Sequence, residues 1–185
     1  MPVSHSHSPE IVLGVTGSIA AYKACELVRL IVKAGWGVSV VMTDAATKFV
    51  TPLTFQTLSR RPVALDPFAL VDDWKPGHIA LAELADVFLV APCTANVMAK
   101  MAHGIADDEL TATALACQGR IMIAPAMNVG MWENQATQAN LKTLQSRGVL
   151  SIEPESGELA CGTTGRGRMA SPEVIFSALQ DALKE

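Results

Sequence analysis

Three side chains stand out as candidates for chemistry: His78, Cys161 and Asn128. His78 follows the Pro76-Gly77 turn at the predicted start of a helix. An imidazole with an ordinary pKa of about 6.5 takes or gives a proton near neutrality. A lone histidine is more often structural, so both readings stay open here. Cys161 lies in Ser156–Met169, which carries four glycines in 14 residues. Such a stretch is costly to order and suits a flap that closes on a ligand. A thiol of pKa about 8.5 is mostly protonated at neutral pH and can donate a proton. Glu153, Glu155 and Glu158 favour that neutral form, while Arg166 and Arg168 oppose it; an idle surface cysteine is the plainer alternative. Asn128 sits in Ala124–Trp132, where Met127, Met131 and Trp132 crowd one amide. Apolar walls around one placed polar group describe a site for a flat, largely apolar ligand, although an ordinary strand-to-helix loop would look similar.

A second group of residues suits a phosphate. Gly14-Val15-Thr16-Gly17-Ser18-Ile19-Ala20 is a glycine-bearing turn that opens a helix, and backbone N–H groups with a hydroxyl at such a terminus hold anions. The GxGxxG dinucleotide fingerprint and the Walker lysine pattern are both missing, so a mononucleotide phosphate fits better than NAD or ATP. Ser18 serves equally well as a plain helix cap. Met42-Thr43-Asp44 and Ala91–Asn96 bring further hydroxyl and amide groups to strand ends.

These groups need a scaffold that gathers strand ends along one edge. Glu10–Val15, a helix over Ile19–Ala34 stopped by Gly35, and the strand Gly37–Met42 form a βαβ unit. Thr51–Arg60 reads as a helix, residues 62–77 as an irregular excursion, and His78–Ala85 as a short helix. Strands follow at Val87–Ala91, Ile121–Ala124 and Val149–Ile152. Helices run from Thr94 to His103, Asp108 to Cys117 and Asn134 to Arg147; a long loop, 153–170, leads to a helix near Pro172. The pattern predicts one α/β domain over 10–185: a doubly wound, Rossmann-like (flavodoxin-like) parallel sheet with helices on both faces. Half of the 185 residues are apolar but only 5% are aromatic, which suits such a sheet. Residues 1–9 read as a disordered polar lead. Net charge −4 gives no electrostatic case for nucleic acid or membranes, and the four cysteines lack metal-type spacing. The expectation is a cytoplasmic protein with no metal, no nucleic-acid partner and no membrane span.

Five stretches together resemble the homo-oligomeric flavin-containing Cys decarboxylase family: Thr16–Lys23, His78-Ile79, Ala91–Asn96, Pro125–Trp132 and Ala160–Met169. The resemblance covers nearly the whole chain from Ile11. It implies FMN held by Gly17, Ser18, Ile19, Thr43, Thr94, Ala95 and Asn96, with Phe49 and Met127 close to it. It implies His78 as active-site base, Asn128 as holder of the substrate's carboxyl end, and Cys161 as proton donor on a clamp loop. The implied reaction converts phosphopantothenoylcysteine, a small thiol, to 4'-phosphopantetheine in coenzyme A biosynthesis. Implied partners are copies of the chain, as a trimer or a dodecamer of trimers with the flavin at a subunit boundary. A synthetase domain or partner is also implied, since many members continue into one. Ala80 departs from the pattern, standing where several members carry Glu. Alternatives of related chemistry or fold are a peptidyl-cysteine decarboxylase, a flavin prenyltransferase and a non-catalytic flavin-binding regulatory subunit; Cys161 argues against the last two.

Overall fold

The computed structural model describes residues 8–69, 75–158, 162 and 164–184. The chain alternates strands and helices from the start. β1 (Glu10–Val15) leads through α1 (Ala21–Lys33) to β2 (Gly37–Met42), then α2 (Asp44–Thr47), α3 (Pro52–Ser59) and β3 (Val63–Ala64). Next come α4 (Gly77–Leu84), β4 (Val87–Cys93), α5 (Ala95–His103), α6 (Glu109–Ala116) and β5 (Arg120–Pro125). The remainder is α7 (Val129–Glu133), α8 (Gln135–Ser146), β6 (Leu150–Ser151), β7 (Glu155–Glu158), β8 (Thr164–Arg168) and α9 (Pro172–Ala182).

Six strands form one sheet in the order β3-β2-β1-β4-β5-β6, and every pairing is parallel. The order reverses between β1 and β4, the switch point where open α/β sheets leave a crevice beyond their carboxyl ends. Both central strands are buried on both faces, because each side of the sheet is covered by helices. Ile11, Leu13 and Val15 point to a core shared with Leu27 and Ile31 of α1 and with Leu179 of α9. Val12, Phe88 and Val90 point to the opposite core, with Met98 of α5 and Leu110 of α6. The buried stripe Ala24, Leu27, Val28 and Ile31 has the spacing of one helix face, and each large side chain in it contributes about 1.5–3 kcal/mol of burial.

The predicted doubly wound sheet is present, with local differences; among them, α2 and α7 are short helices that the pattern did not predict. The helix predicted from Ile19 begins at Ala21, because Ser18 to Ala20 form a tight turn closed by the Ala21 N–H donating to the Ser18 carbonyl at 2.9 Å. The excursion over 62–77 contains the edge strand β3, whose two residues are too short to give a periodic signal. The Gly-rich stretch 153–170 holds an antiparallel hairpin, β7 against β8, rather than a continuous loop. Trp74, Cys161 and the first seven residues, with His5 and His7, lie outside the described residues.

Candidate active site

Thr16 fastens the two central strand ends together. It is fully buried, its Oγ1 donates to the Pro92 carbonyl at 2.7 Å, and the same oxygen accepts from the Thr94 N–H at 3.1 Å. One side chain thus locks the turn after β1 to the turn after β4, at the switch point. Polar side chains bond the backbone at each following turn: Thr94 and Asn128 cap α5 and α7, and Ser18 braces the turn that leads into α1. Ser18 Oγ accepts from the Ala20 N–H at 3.2 Å, Thr94 Oγ1 from Val97 at 3.4 Å, and Asn128 Oδ1 from Gly130 at 2.8 Å. These bonds fix the orientation of three side chains at one edge.

Around that edge lies a cleft of about 820 Å³. Gly17, Ser18 and Ile19 line it from the first turn, Thr94 and Ala95 from the second, and Met127, Asn128 and Met131 from the third. The hairpin closes one side. The Met127 N–H donates to the Gly167 carbonyl at 2.9 Å, and Gly167 has φ 145°. A Cβ at residue 167 would sit 2.4 Å from the Met127 carbonyl oxygen, so only glycine lets β8 approach this closely.

Among the described residues Lys23 and Arg168 are the charged side chains of the lining, and no carboxylate joins them there. Lys23 Nζ donates to the Met169 carbonyl at 3.2 Å, tying α1 to the end of the hairpin. Burial, and then the neighbouring Arg168 guanidinium, push its pKa below the ordinary value. The cleft therefore combines turn and helix-cap hydroxyls, methionine walls and two cations. That donor set fits a phosphorylated, flat aromatic molecule, and the volume lies within the range of cofactor sites.

The structure brings together seven of the residues singled out from the sequence: Gly17, Ser18, Ile19, Thr94, Ala95, Met127 and Asn128. Thr43 lies beside the end of β1, its N–H donating to the Val15 carbonyl at 3.1 Å and its hydroxyl capping α2; it does not line the cleft. Phe49, half-exposed beyond α2, and Asn96, exposed in the first turn of α5, also stand outside the lining. Sequence reasoning assigned no role to Lys23, although its place in the first turn of α1, after Ser18, puts it on the same edge.

His78 occupies a different corner. It is the second residue of α4, which packs on α6 over the face opposite α1. Its Nδ1 lies 3.6 Å from Oε2 of Glu109, whose side chain is 2% exposed. Burial raises the Glu109 pKa, with the nearby His78 opposing that rise. Nothing in the sequence flagged Glu109, because an acid beside the cap Asp108 reads as an ordinary first-turn residue. Among the described residues no His, Cys, Asp and Glu cluster could hold a metal, and no helix is long and apolar enough to cross a membrane.

The sequence profile of the Flavoprotein family matches residues 2–184. The bifunctional coenzyme A biosynthesis protein CoaBC of Bacillus subtilis is 49% identical over 175 residues, covering 95% of this chain and 43% of that protein. The chain thus spans less than half the length of such relatives. A probable phosphopantothenoylcysteine decarboxylase of Streptococcus mutans is 44% identical over 94% of this chain and 98% of its own length. A solved cysteine-to-serine mutant of a PPC decarboxylase, complexed with pantothenoylaminoethenethiol, superposes with a TM-score of 0.85 at 30% identity, covering 97% of this chain and 100% of that one. With its profile matched from end to end and its cleft at the sheet's switch point, the chain belongs to the Flavoprotein family.

Proposed function

We propose that the chain is an FMN-dependent decarboxylase that converts phosphopantothenoylcysteine to 4'-phosphopantetheine in coenzyme A biosynthesis. The observation that carries this reading is the cleft itself: Ser18 in the turn before α1, Thr94 at the start of α5, Met127 and Met131 as walls, Asn128 between them, and two cations with no carboxylate among the described lining residues. Bound FMN supplies a reversible two-electron oxidation of the carbon that bears the substrate's sulfur, which lets the neighbouring carboxylate leave as CO₂.

The chain's own residues supply orientation and protons. Gly17, Ser18, Ile19, Thr94 and Ala95 hold the cofactor, with Thr43, Phe49 and Asn96 at its margins. Asn128, its plane fixed by the cap to Gly130, holds the substrate carboxylate until the C–C bond breaks. His78 accepts the thiol proton as the sulfur-bearing carbon is oxidised, and Cys161 later returns a proton to the enethiol carbon. Lys23 and Arg168 favour an anionic substrate at the cleft.

His78 does not line the cleft that contains Asn128, so one chain holds only part of this machinery. A homo-oligomer, a trimer or a dodecamer of trimers, completes each site by bringing His78 of an adjoining subunit to it. A synthetase domain or partner supplies the cysteine conjugate, and the setting is cytoplasmic. The test is direct: purified protein incubated with phosphopantothenoylcysteine, with CO₂ and phosphopantetheine followed by mass spectrometry. Turnover by a protein carrying a flavin absorption spectrum is expected. A protein that takes up no FMN, or that acts only on peptides ending in cysteine, overturns the reading.

A further inference from the structure

Glu109 is the one carboxylate among the buried polar and charged residues described, and it lies outside the cleft. Burying an ionised carboxylate without partners costs several kcal/mol, so such a group calls for a compensating contact. Oε2 of Glu109 has no hydrogen-bond partner, and neither does Nδ1 of His78; they are two of the three such buried side-chain atoms among the described residues. At 3.6 Å they face each other just outside hydrogen-bond range, so a small rotation of either side chain joins them.

The surrounding fold makes room for this carboxylate in particular. α6 already has its cap, because Asp108 Oδ1 accepts from the Thr111 N–H at 2.8 Å and Thr111 Oγ1 bonds back. Glu109 is therefore not needed to close that helix end. The residue before His78 is Gly77, and a Cβ there would stand 2.7 Å from Glu109 Oε1. A larger residue at position 77 would push the carboxylate away from the imidazole. The other acids acting on Glu109 are Asp66 and Asp108, and both add negative charge to this corner.

We infer that Glu109 is the positioning residue for His78. Its carboxylate accepts the Nδ1–H, which fixes the ring plane and the tautomer and leaves Nε2 as the basic nitrogen. When the substrate thiol proton moves to Nε2, the buried negative charge stabilises the imidazolium that results, while the Nδ1 proton stays in place. The inference rests on His78 acting as the base.

Three variants of the FMN-loaded full chain separate the possibilities: Glu109→Gln, Glu109→Asp and His78→Asn. Glu109→Gln is expected to lower kcat on the order of 10²-fold with KM and flavin content unchanged, since it removes the charge but keeps the shape. Glu109→Asp is expected to recover part of that loss. Nitrogen-15 NMR of the imidazole should report the Nδ1–H tautomer in the parent and a shift toward Nε2–H in Glu109→Gln. An inactive His78→Asn alongside a fully active Glu109→Gln with an unchanged tautomer overturns the role of Glu109 alone. A His78→Asn variant that turns over normally removes the base itself, and the inference with it. If Glu109→Gln does not fold, the Glu109→Asp rate and the parent tautomer still decide: an Nε2–H parent overturns the assignment.

Discussion

The edge of the cleft and the His78–Glu109 corner are built in contrasting ways. At the cleft, Thr16, Ser18, Thr94 and Asn128 each spend an oxygen on a backbone N–H, so the binding surface is set before any ligand arrives. At the other corner, two buried polar atoms face each other without a bond. A surface that must recognise a rigid ring gains from preorganisation, because binding then orders little. A group that must take up and release a proton gains from capacity held in reserve. On the proposed reading, the satisfied edge is where this molecule binds and the unsatisfied His78–Glu109 pair is where it handles protons.

The sharpest way to break the contrast is to remove the imidazole proposed to handle the proton and leave the proposed binding edge alone. His78→Asn should lower decarboxylation by about 10²–10⁴-fold while flavin content, read from the visible spectrum, stays at the parent level. Loss of flavin along with activity would mean that the two regions are not separable. Gly167→Val attacks the binding edge instead. The added Cβ meets the Met127 carbonyl, so the hairpin must lift from the cleft; weaker flavin retention and a loss of about 1–3 kcal/mol are expected by titration and denaturant unfolding. Parent-like retention would show that β8 does not shape the site.

Smaller effects sharpen the same comparison. Thr16→Val leaves the Pro92 carbonyl and the Thr94 N–H without their partner, at a cost of about 1–3 kcal/mol in urea unfolding, and should weaken FMN binding. Glu109→Gln should act with the opposite sign on stability. Burial raises the Glu109 pKa above its ordinary 4.5, so the folded state holds that proton more tightly than the unfolded chain does. The cost of the buried charge is absent below pH 4.5 and grows as pH rises through the raised folded value. Melting temperatures should therefore favour Glu109→Gln at neutral pH and converge with the parent in acid; a variant less stable at every pH would show that the carboxylate supports the fold. The smallest effect is at Cys93, whose thiol burial pushes up to about 12: in the native protein it should resist alkylation that modifies it readily after unfolding.

Much of this was legible in the sequence, for identifiable reasons. Alternating apolar runs and glycine stops reveal a doubly wound sheet, and such a sheet forces the turns at Gly17, Thr94 and Asn128 onto one edge. Thr94 caps its helix, Ser18 braces a turn without capping α1, and the cap made by Asn128 was not foreseen, because its amide among methionines and a tryptophan reads as a ligand group. What stayed hidden depends on tertiary approach. The Gly-rich stretch reads as a loop because its glycines carry no pattern, yet Gly167 is there to let a strand lie against Met127. Glu109 meets His78 across 31 positions of sequence through helix packing, and no periodicity announces a charge turned inward. That His78 stands outside the cleft lined by Asn128 was equally invisible, because a linear sequence does not say which turns converge on one cavity.

The central claim is that catalysis needs both regions, each contributed by a different copy of the chain. Mixing two inactive variants, His78→Asn and Asn128→Ala, under conditions that exchange subunits tests it most directly. The account predicts that CO₂ release from phosphopantothenoylcysteine returns in the mixture, because some sites then pair an intact His78 with an intact Asn128. A mixture that stays inactive, while parent protein taken through the same exchange keeps its activity, would contradict it.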